Sequence, residues 1–426
     1  MTTDAVGEAT KSPEDLRARM VEQLRQDSAH EGETLSPRVA QVMEAVPREA
    51  FVPGLDLEEV YNPHRALVTK RSEDGIALSS VSAPSIIATM LDRADIQAGH
   101  RVLEVGSGGY NAALIAELVG ADGQVTSIDI DPDVVERAEG CLASAGYSDR
   151  VTVATADGEN GFADRAPFDR IVVTAGAWDV PPAWQDQLAE GGLMVVPLRI
   201  RGLTRCLTLE ARDGRLQARK VDMCGFVRMQ GAGEHWEPMP YLHEEPERRV
   251  GLRLEDGPDV DVQALRKALA EPATTRWSGV TVGDEDPTHS QDLWVASAVD
   301  GWAVLTADPG AVKAGVVIPT WTLGTPALVS PTGDSFAYRT LRPFPEDEEL
   351  GELGAIGHGP SGPALAEQLN DLMRVWDSKY RHGTEPDITL FPRSTPDDRL
   401  PCGRVVDKKH TRMVITWPSH TPKEQL

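Results

Sequence analysis

The chain has 426 residues, 40% hydrophobic and 26% charged, which is enough apolar material for the cores of two globular domains. Its 42 lysines and arginines against 67 aspartates and glutamates leave a net charge of −25, which repels nucleic acid and anionic membranes. No apolar run reaches the roughly 20 residues of a membrane helix, and the start MTTDAVGEATKSPEDL has neither the basic nor the apolar part of a secretory signal, so a cytoplasmic protein is expected.

Residues 1–11 read as a disordered polar tail. Ser12-Pro13 then supplies an N-cap and a first-turn proline, with Leu16, Met20 and Leu24 at helical spacing behind them. Ser36-Pro37 repeats the device, with Val39, Val42, Met43 and Val46 as the buried stripe. An irregular stretch, Tyr61–Ser80, leads to a helix opening at Pro84 with Ile86, Ile87, Met90 and Leu91 on its apolar side.

From residue 101 short apolar runs alternate with helical patterns. RVLEV, QVTSIDI, VTVATA, RIVVT and GLMVVPL read as strands, with NAALIAELV and DVVERAEGCLASAG as helices between the first three. That alternation predicts a parallel, doubly wound α/β sheet. LTRCLTLEARDGRLQARKVD reads as a hairpin turning at Asp213-Gly214.

Residues 240–426 change character, past a stretch at 244–250 rich in Glu, Pro and Arg. TRWSGVTVG, LWVASAVDGWAVLTA, FAYRTLRP and RMVITW are expected strands, GHGPSGP around His358 a flexible loop, and PALAEQLNDLMRVWDSKY a core helix. A separate α+β domain is expected there. The four cysteines, Cys141, Cys206, Cys224 and Cys402, form no CxxC pair, so reduced and mostly buried thiols are expected. The ten histidines, His64, His100 and His235 among them, show no ligand pairing, and no metal site is expected.

The informative segment is VLEVGSGGYNAALIA. A strand ends at Glu104-Val105, the turn Gly106-Ser107-Gly108-Gly109 follows, and a helix begins. Glycines there let a backbone approach a ligand closely. The next strand ends at Asp129, where a carboxylate can bind ribose hydroxyls, and the one after it is followed by Asp157-Gly158. Acidic groups beside a glycine turn suit a nucleoside without phosphate, and S-adenosylmethionine, whose reactive centre is a sulfonium cation, fits best. No phosphate loop of the type GxxxxGK[ST] is present.

From about residue 14 to 234 the chain resembles the protein-L-isoaspartate O-methyltransferases. The resemblance rests on AVPREAFVP, LSSVSAPSIIATML, VLEVGSGGYNAA, ADGENGF, APFDRIVVTAG, QLAEGGLMVVPL and CGFVRMQG. It implies a Rossmann-like fold using S-adenosylmethionine to methylate an aspartyl-type carboxylate in a peptide. By position, Ser82 matches the family's active-site serine, and Ser80 stands in place of its threonine. Glu104, Gly106, Ser107 and Gly108 match the cofactor loop, Asp129 the ribose ligand, and Asp157-Gly158 the adenine side. The loop reads GSGGY where the family usually has GSGSGY, and Arg228 stands where proline is usual.

A peptide carboxylate is already ionised at neutral pH. Methyl transfer to it then needs alignment and desolvation more than a base. Ser82 would orient the carboxylate by hydrogen bonding, and it also suits the N-cap of the helix at Pro84.

Within the family the resemblance is closest to the actinobacterial branch associated with ribosomally made, modified peptides such as lanthipeptides and graspetides. That branch implies esterification of a normal aspartate in a constrained precursor peptide, followed by aspartimide and isoaspartate. The additional C-terminal domain, expected to recognise the peptide, makes this the preferred reading. Repair of isoaspartyl residues in damaged proteins is the alternative, and non-catalytic peptide binding a third. A monomer is expected.

Overall fold

The structure is a computed structural model that describes residues 12–30, 32–255, 259–284 and 286–418; the tail expected at 1–11 lies outside the described residues. The chain divides into two compact units. The first runs to Leu198 and adds Thr204–His235 and Lys408–Thr411. The second comprises Arg199–Leu203, Trp236–Asp407 and the residues from Arg412 onward.

Two helices lead the first unit. Pro13–His30 buries Leu16, Met20 and Leu24. Its first turn is closed reciprocally, Asp15 N–H donating to Ser12 Oγ at 3.1 Å and Ser12 N–H to the Asp15 carboxylate at 3.3 Å. Pro37–Ala45 is capped by Ser36, whose Oγ accepts from Val39 N–H at 3.2 Å.

The strands of this unit run side by side in the order Arg215–Met223, Leu203–Arg212, Leu188–Ile200, Phe168–Val173, Arg101–Val105, Gln124–Asp129, Val151–Thr155. The last five pair in parallel. The first two form the expected antiparallel hairpin, with φ of +51° at Asp213 and +73° at Gly214. Helix Tyr110–Val119 is buried along nearly its whole circumference, which is why its sequence is so uniformly apolar. Strand order reverses at Arg101–Val105, which lies between Gln124–Asp129 and Phe168–Val173. In such a sheet the crevice beyond the carboxyl ends at the reversal is the ligand site.

The second unit holds an antiparallel sheet ordered Tyr241–His243, Val250–Arg253, Trp302–Ala307, Thr325–Val329, Phe336–Phe344, Asp347–His358, Thr274–Val282. Helix Gly362–Lys379 buries Leu365, Leu369, Met373 and Trp376. Among the described residues no helix is long and apolar enough to cross a membrane.

Several expectations are corrected. The stretch 61–80 is not irregular throughout: Leu67–Arg71 pairs antiparallel with Ala77–Val81. Its strands carry Thr69, Lys70, Ser79 and Ser80, so no apolar alternation announced them. LWVASAVDGWAVLTA is not one strand but the end of helix Thr288–Ala298 and strand Trp302–Ala307. Leu293, Val295, Ala296 and Ser297 are all buried, and an apolar run buried on several sides loses the period that separates helix from strand. His358 is no loop residue. It is buried at a strand end, stacked on Phe336 at 4.7 Å, and burial lowers its pKa. Of the cysteines, Cys141 and Cys206 are buried, Cys224 is half-buried and Cys402 is exposed.

Candidate active site

A cleft open to solvent lies at the carboxyl ends of the parallel strands. Its floor is Val105–Gly108, Ile128–Ile130 and Gly158; its walls are Leu78–Ser80, Thr174-Ala175 and Val227–Gln230. Gly106 makes the floor thin. Its φ is +104°, and a Cβ there would sit 2.5 Å from Thr174 Oγ1. Thr174 Oγ1 instead donates to the Gly106 carbonyl at 2.9 Å, tying the turn to the neighbouring strand.

Asp129 ends the second parallel strand. Its carboxylate accepts from Ser107 N–H at 3.0 Å and from Asp131 N–H at 3.0 Å, and it lines the cleft. Glu104 lies beneath the cleft rather than in it. Its carboxylate is fully buried and accepts from the Asn111 amide at 2.8 Å and from the Ser127 hydroxyl, which also contacts Ser107 Oγ. Burial pushes the Glu104 carboxyl up to about 7, against those two hydrogen bonds, which favour the charged form.

Gly158 lines the cleft, while the Asp157 carboxylate is spent on the loop around it. It accepts from Glu159 N–H at 3.0 Å and from Ala232 N–H at 2.9 Å. Ser80 lines the cleft. Ser82, two residues on, does not line it. Nor does Ser82 cap the following helix: Ala83 occupies the N-cap of Pro84–Ala94, and no side chain caps it.

Arg48, from AVPREAFVP, explains that segment physically. It is buried, donates from Nη2 to the Ser82 carbonyl and from Nε to the Val60 carbonyl, each at 2.9 Å, and stacks 5.0 Å over the Tyr110 ring. Phe51 comes within 3.0 Å of where a Cβ on Gly109 would stand, and Gly109 has φ of +82°. One short segment therefore braces both the serine segment and the glycine turn.

Sequence reasoning missed Thr174, Met229 and Gln230 as cleft residues. Val227–Met229 reach the cleft through backbone pairing, Gly176 N–H donating to the Val227 carbonyl at 2.7 Å and Met229 N–H to the Gly176 carbonyl at 3.1 Å. No local pattern marks such a pairing in advance.

A sequence profile of the protein-L-isoaspartate(D-aspartate) O-methyltransferases matches residues 17–234, half of the chain. The chain belongs to that family. It is a carboxyl O-methyltransferase that uses S-adenosylmethionine. The protein-L-isoaspartate O-methyltransferase of Hyperthermus butylicus is 39% identical over 226 residues, covering 51% of this chain and 89% of that one. The enzyme of the same name from Methanopyrus kandleri is 40% identical over 224 residues, covering 52% and 94%. A solved protein-L-isoaspartate O-methyltransferase superposes with a TM-score of 0.48 at 19% identity, covering 88% of this chain and 96% of that one.

The cleft fits this methyl donor. It has a thin glycine floor and the Asp129 carboxylate. Arg228 is the sole cation among the described residues that line it, so nothing there resembles a polyphosphate cradle.

Proposed function

We propose that this methyltransferase esterifies isoaspartyl carboxylates in proteins or peptides, and that the cleft described above is where it does so. The observation that carries the reading is the family match over residues 17–234, which contains the glycine turn and Asp129 on the cleft floor. In this reading Gly106, Ser107, Gly108, Asp129 and Gly158 hold S-adenosylmethionine, with Glu104 and Asp157 fixing the turns that carry them. The bound donor supplies a methyl group on a sulfonium sulfur. Ser80, which lines the cleft, and Ser82, two residues on, orient the peptide carboxylate.

The carboxylate has no proton to lose, so the site needs no general base. One C–O bond forms, one C–S bond breaks, and the bonding pair stays on sulfur, which becomes neutral. The products are a methyl ester and S-adenosylhomocysteine. What these residues contribute is alignment and exclusion of water.

The names of the relatives favour the isoaspartyl substrate over the precursor peptide preferred from sequence. One observation supports the second reading, esterification of an aspartate in a macrocyclic ribosomal peptide with passage to aspartimide. The family match ends at residue 234, and most of a second unit lies beyond it. In that reading the second unit recognises the peptide.

Mass spectrometry with S-adenosylmethionine and three peptides tests both. Methylation of a linear isoaspartyl peptide, with its aspartyl twin refused, supports the first reading. Methylation followed by loss of water on a macrocyclic aspartyl peptide alone replaces it with the second. No methylation of any peptide defeats both.

A further inference from the structure

The turn Lys408–Thr411 lies almost 180 residues beyond the end of the family match, yet it is an integral part of the first compact unit. It joins strand Arg404–Asp407 to strand Thr411–Thr416. Its contacts converge on three loops.

The first loop is 157–160, which carries Gly158 on the cleft floor. The Glu159 carboxylate, its side chain 11% exposed, accepts from Lys409 Nζ and pairs with His410 Nε2, each at 2.8 Å. The second follows Thr174-Ala175 of the cleft wall. There the buried Asp179 accepts from His410 N–H, from Thr411 N–H at 3.2 Å and from the Thr411 hydroxyl at 2.6 Å. Lys408 donates to the Trp178 carbonyl and stands 5.3 Å over its ring, whose other neighbour is the His235 ring, stacked at 3.9 Å. The third is 231–233, directly after cleft residues Val227–Gln230. Lys409 Nζ donates to the Ala232 carbonyl at 3.1 Å.

We infer that Lys409, His410 and Thr411 are positioning residues for the methyl-donor site: they tie together the three loops that carry one side of the cleft. This rests on the reading that the cleft takes S-adenosylmethionine. A carboxylate taken out of water needs hydrogen-bond partners, and Asp179 and Glu159 find theirs in this turn. The turn therefore helps to hold these loops in position. Donor binding then depends on a turn supplied by the far end of the chain, and the appended region is required for the chemistry independently of anything it binds.

The test uses the full-length protein, with donor affinity read by calorimetry, kcat and KM by methylation assay, and Tm by thermal unfolding. Asp129→Ala first checks the cleft reading; if donor affinity is unchanged there, that reading fails by itself. The double variant Lys409→Ala/His410→Ala is expected to weaken donor affinity about tenfold, with kcat at saturating donor within about twofold and only a modest fall in Tm. Lys409→Arg, which keeps the charge and reach, is expected to bind the donor as the parent does. Thr411→Val, nearly isosteric, is expected to weaken donor affinity about threefold. Parent-like donor affinity in both the double variant and Thr411→Val overturns the proposal. So does a fall in Tm accompanied by equal losses for donor and peptide, because that is the signature of a merely structural turn.

Discussion

The side-chain amide of Asn111 donates a 2.8 Å hydrogen bond to Oε1 of Glu104, across the glycine turn that joins the first parallel strand to its helix. Ser127 closes the other side, so the carboxylate is held from the helix and from the neighbouring strand at once. The turn between them is the cleft floor, and its shape is set in part by groups that never reach the cleft.

Burial raises the Glu104 carboxyl to about 7, well above its value in an unfolded chain, about 4.3. The folded state therefore holds this proton more tightly than the unfolded state. The stability it contributes is complete below about pH 4 and is lost as pH rises to about 7. Glu104→Gln removes this dependence, so the variant should gain on the parent in urea midpoint between about pH 4.5 and 7. Two midpoint curves that stay parallel across that window would refute the assignment.

Gly106→Ala tests the thin floor. At φ of +104° an alanine is strained whatever the space, and its Cβ would also strike Thr174 Oγ1. The expected cost is about 1–3 kcal/mol, seen as a lower Tm, together with weaker donor binding. Adding Thr174→Ala should recover only part of that loss, because it relieves the collision and leaves the backbone strain. Full recovery in the double variant would mean that the backbone angle costs nothing.

The glycine turn, Asp129 and the doubly wound sheet were legible because they are local. A strand, a turn and a helix in succession give a readable period, and the carboxylate sits at a fixed place after the next strand. Asp157-Gly158 was legible for the same reason, although its carboxylate serves the loop. What escaped was set by distance along the chain. Thr174 and Gln230 reach the cleft only through sheet order and a backbone pairing with Gly176, and the turn at 408–411 lies far along the chain from the family match. The strands at 67–71 and 77–81 escaped for another reason: their polar faces hide the alternation that identifies a strand.

Arg48→Met tests the brace beneath the serine segment. Burial lowers the guanidinium pKa only to about 10, so it is charged at neutral pH, and it donates to the carbonyls of Ser82 and Val60. Methionine fills much of the volume but leaves both carbonyls without that donor, at an expected cost of about 2–4 kcal/mol. If Ser82 orients the peptide carboxylate, kcat should fall further than donor affinity. Arg48→Lys, able to reach one carbonyl, should lie between. A variant that loses donor affinity while kcat stays intact would disconnect Arg48 from the serine.

Asp129→Ala tests the cofactor assignment. The Asp129 carboxylate accepts from the backbone of Ser107 and Asp131 and still has lone pairs facing the cleft that it lines. If those bind the ribose hydroxyls, alanine should weaken S-adenosylmethionine binding by about 1–3 kcal/mol, roughly 5- to 150-fold. Asp129→Asn keeps one acceptor oxygen and should lose less. Because S-adenosylhomocysteine carries the same ribose without the sulfonium charge, both ligands should weaken by a similar factor. A loss confined to the charged donor would show that Asp129 acts through its negative charge on the sulfonium, and an unchanged affinity for both would remove it from the site.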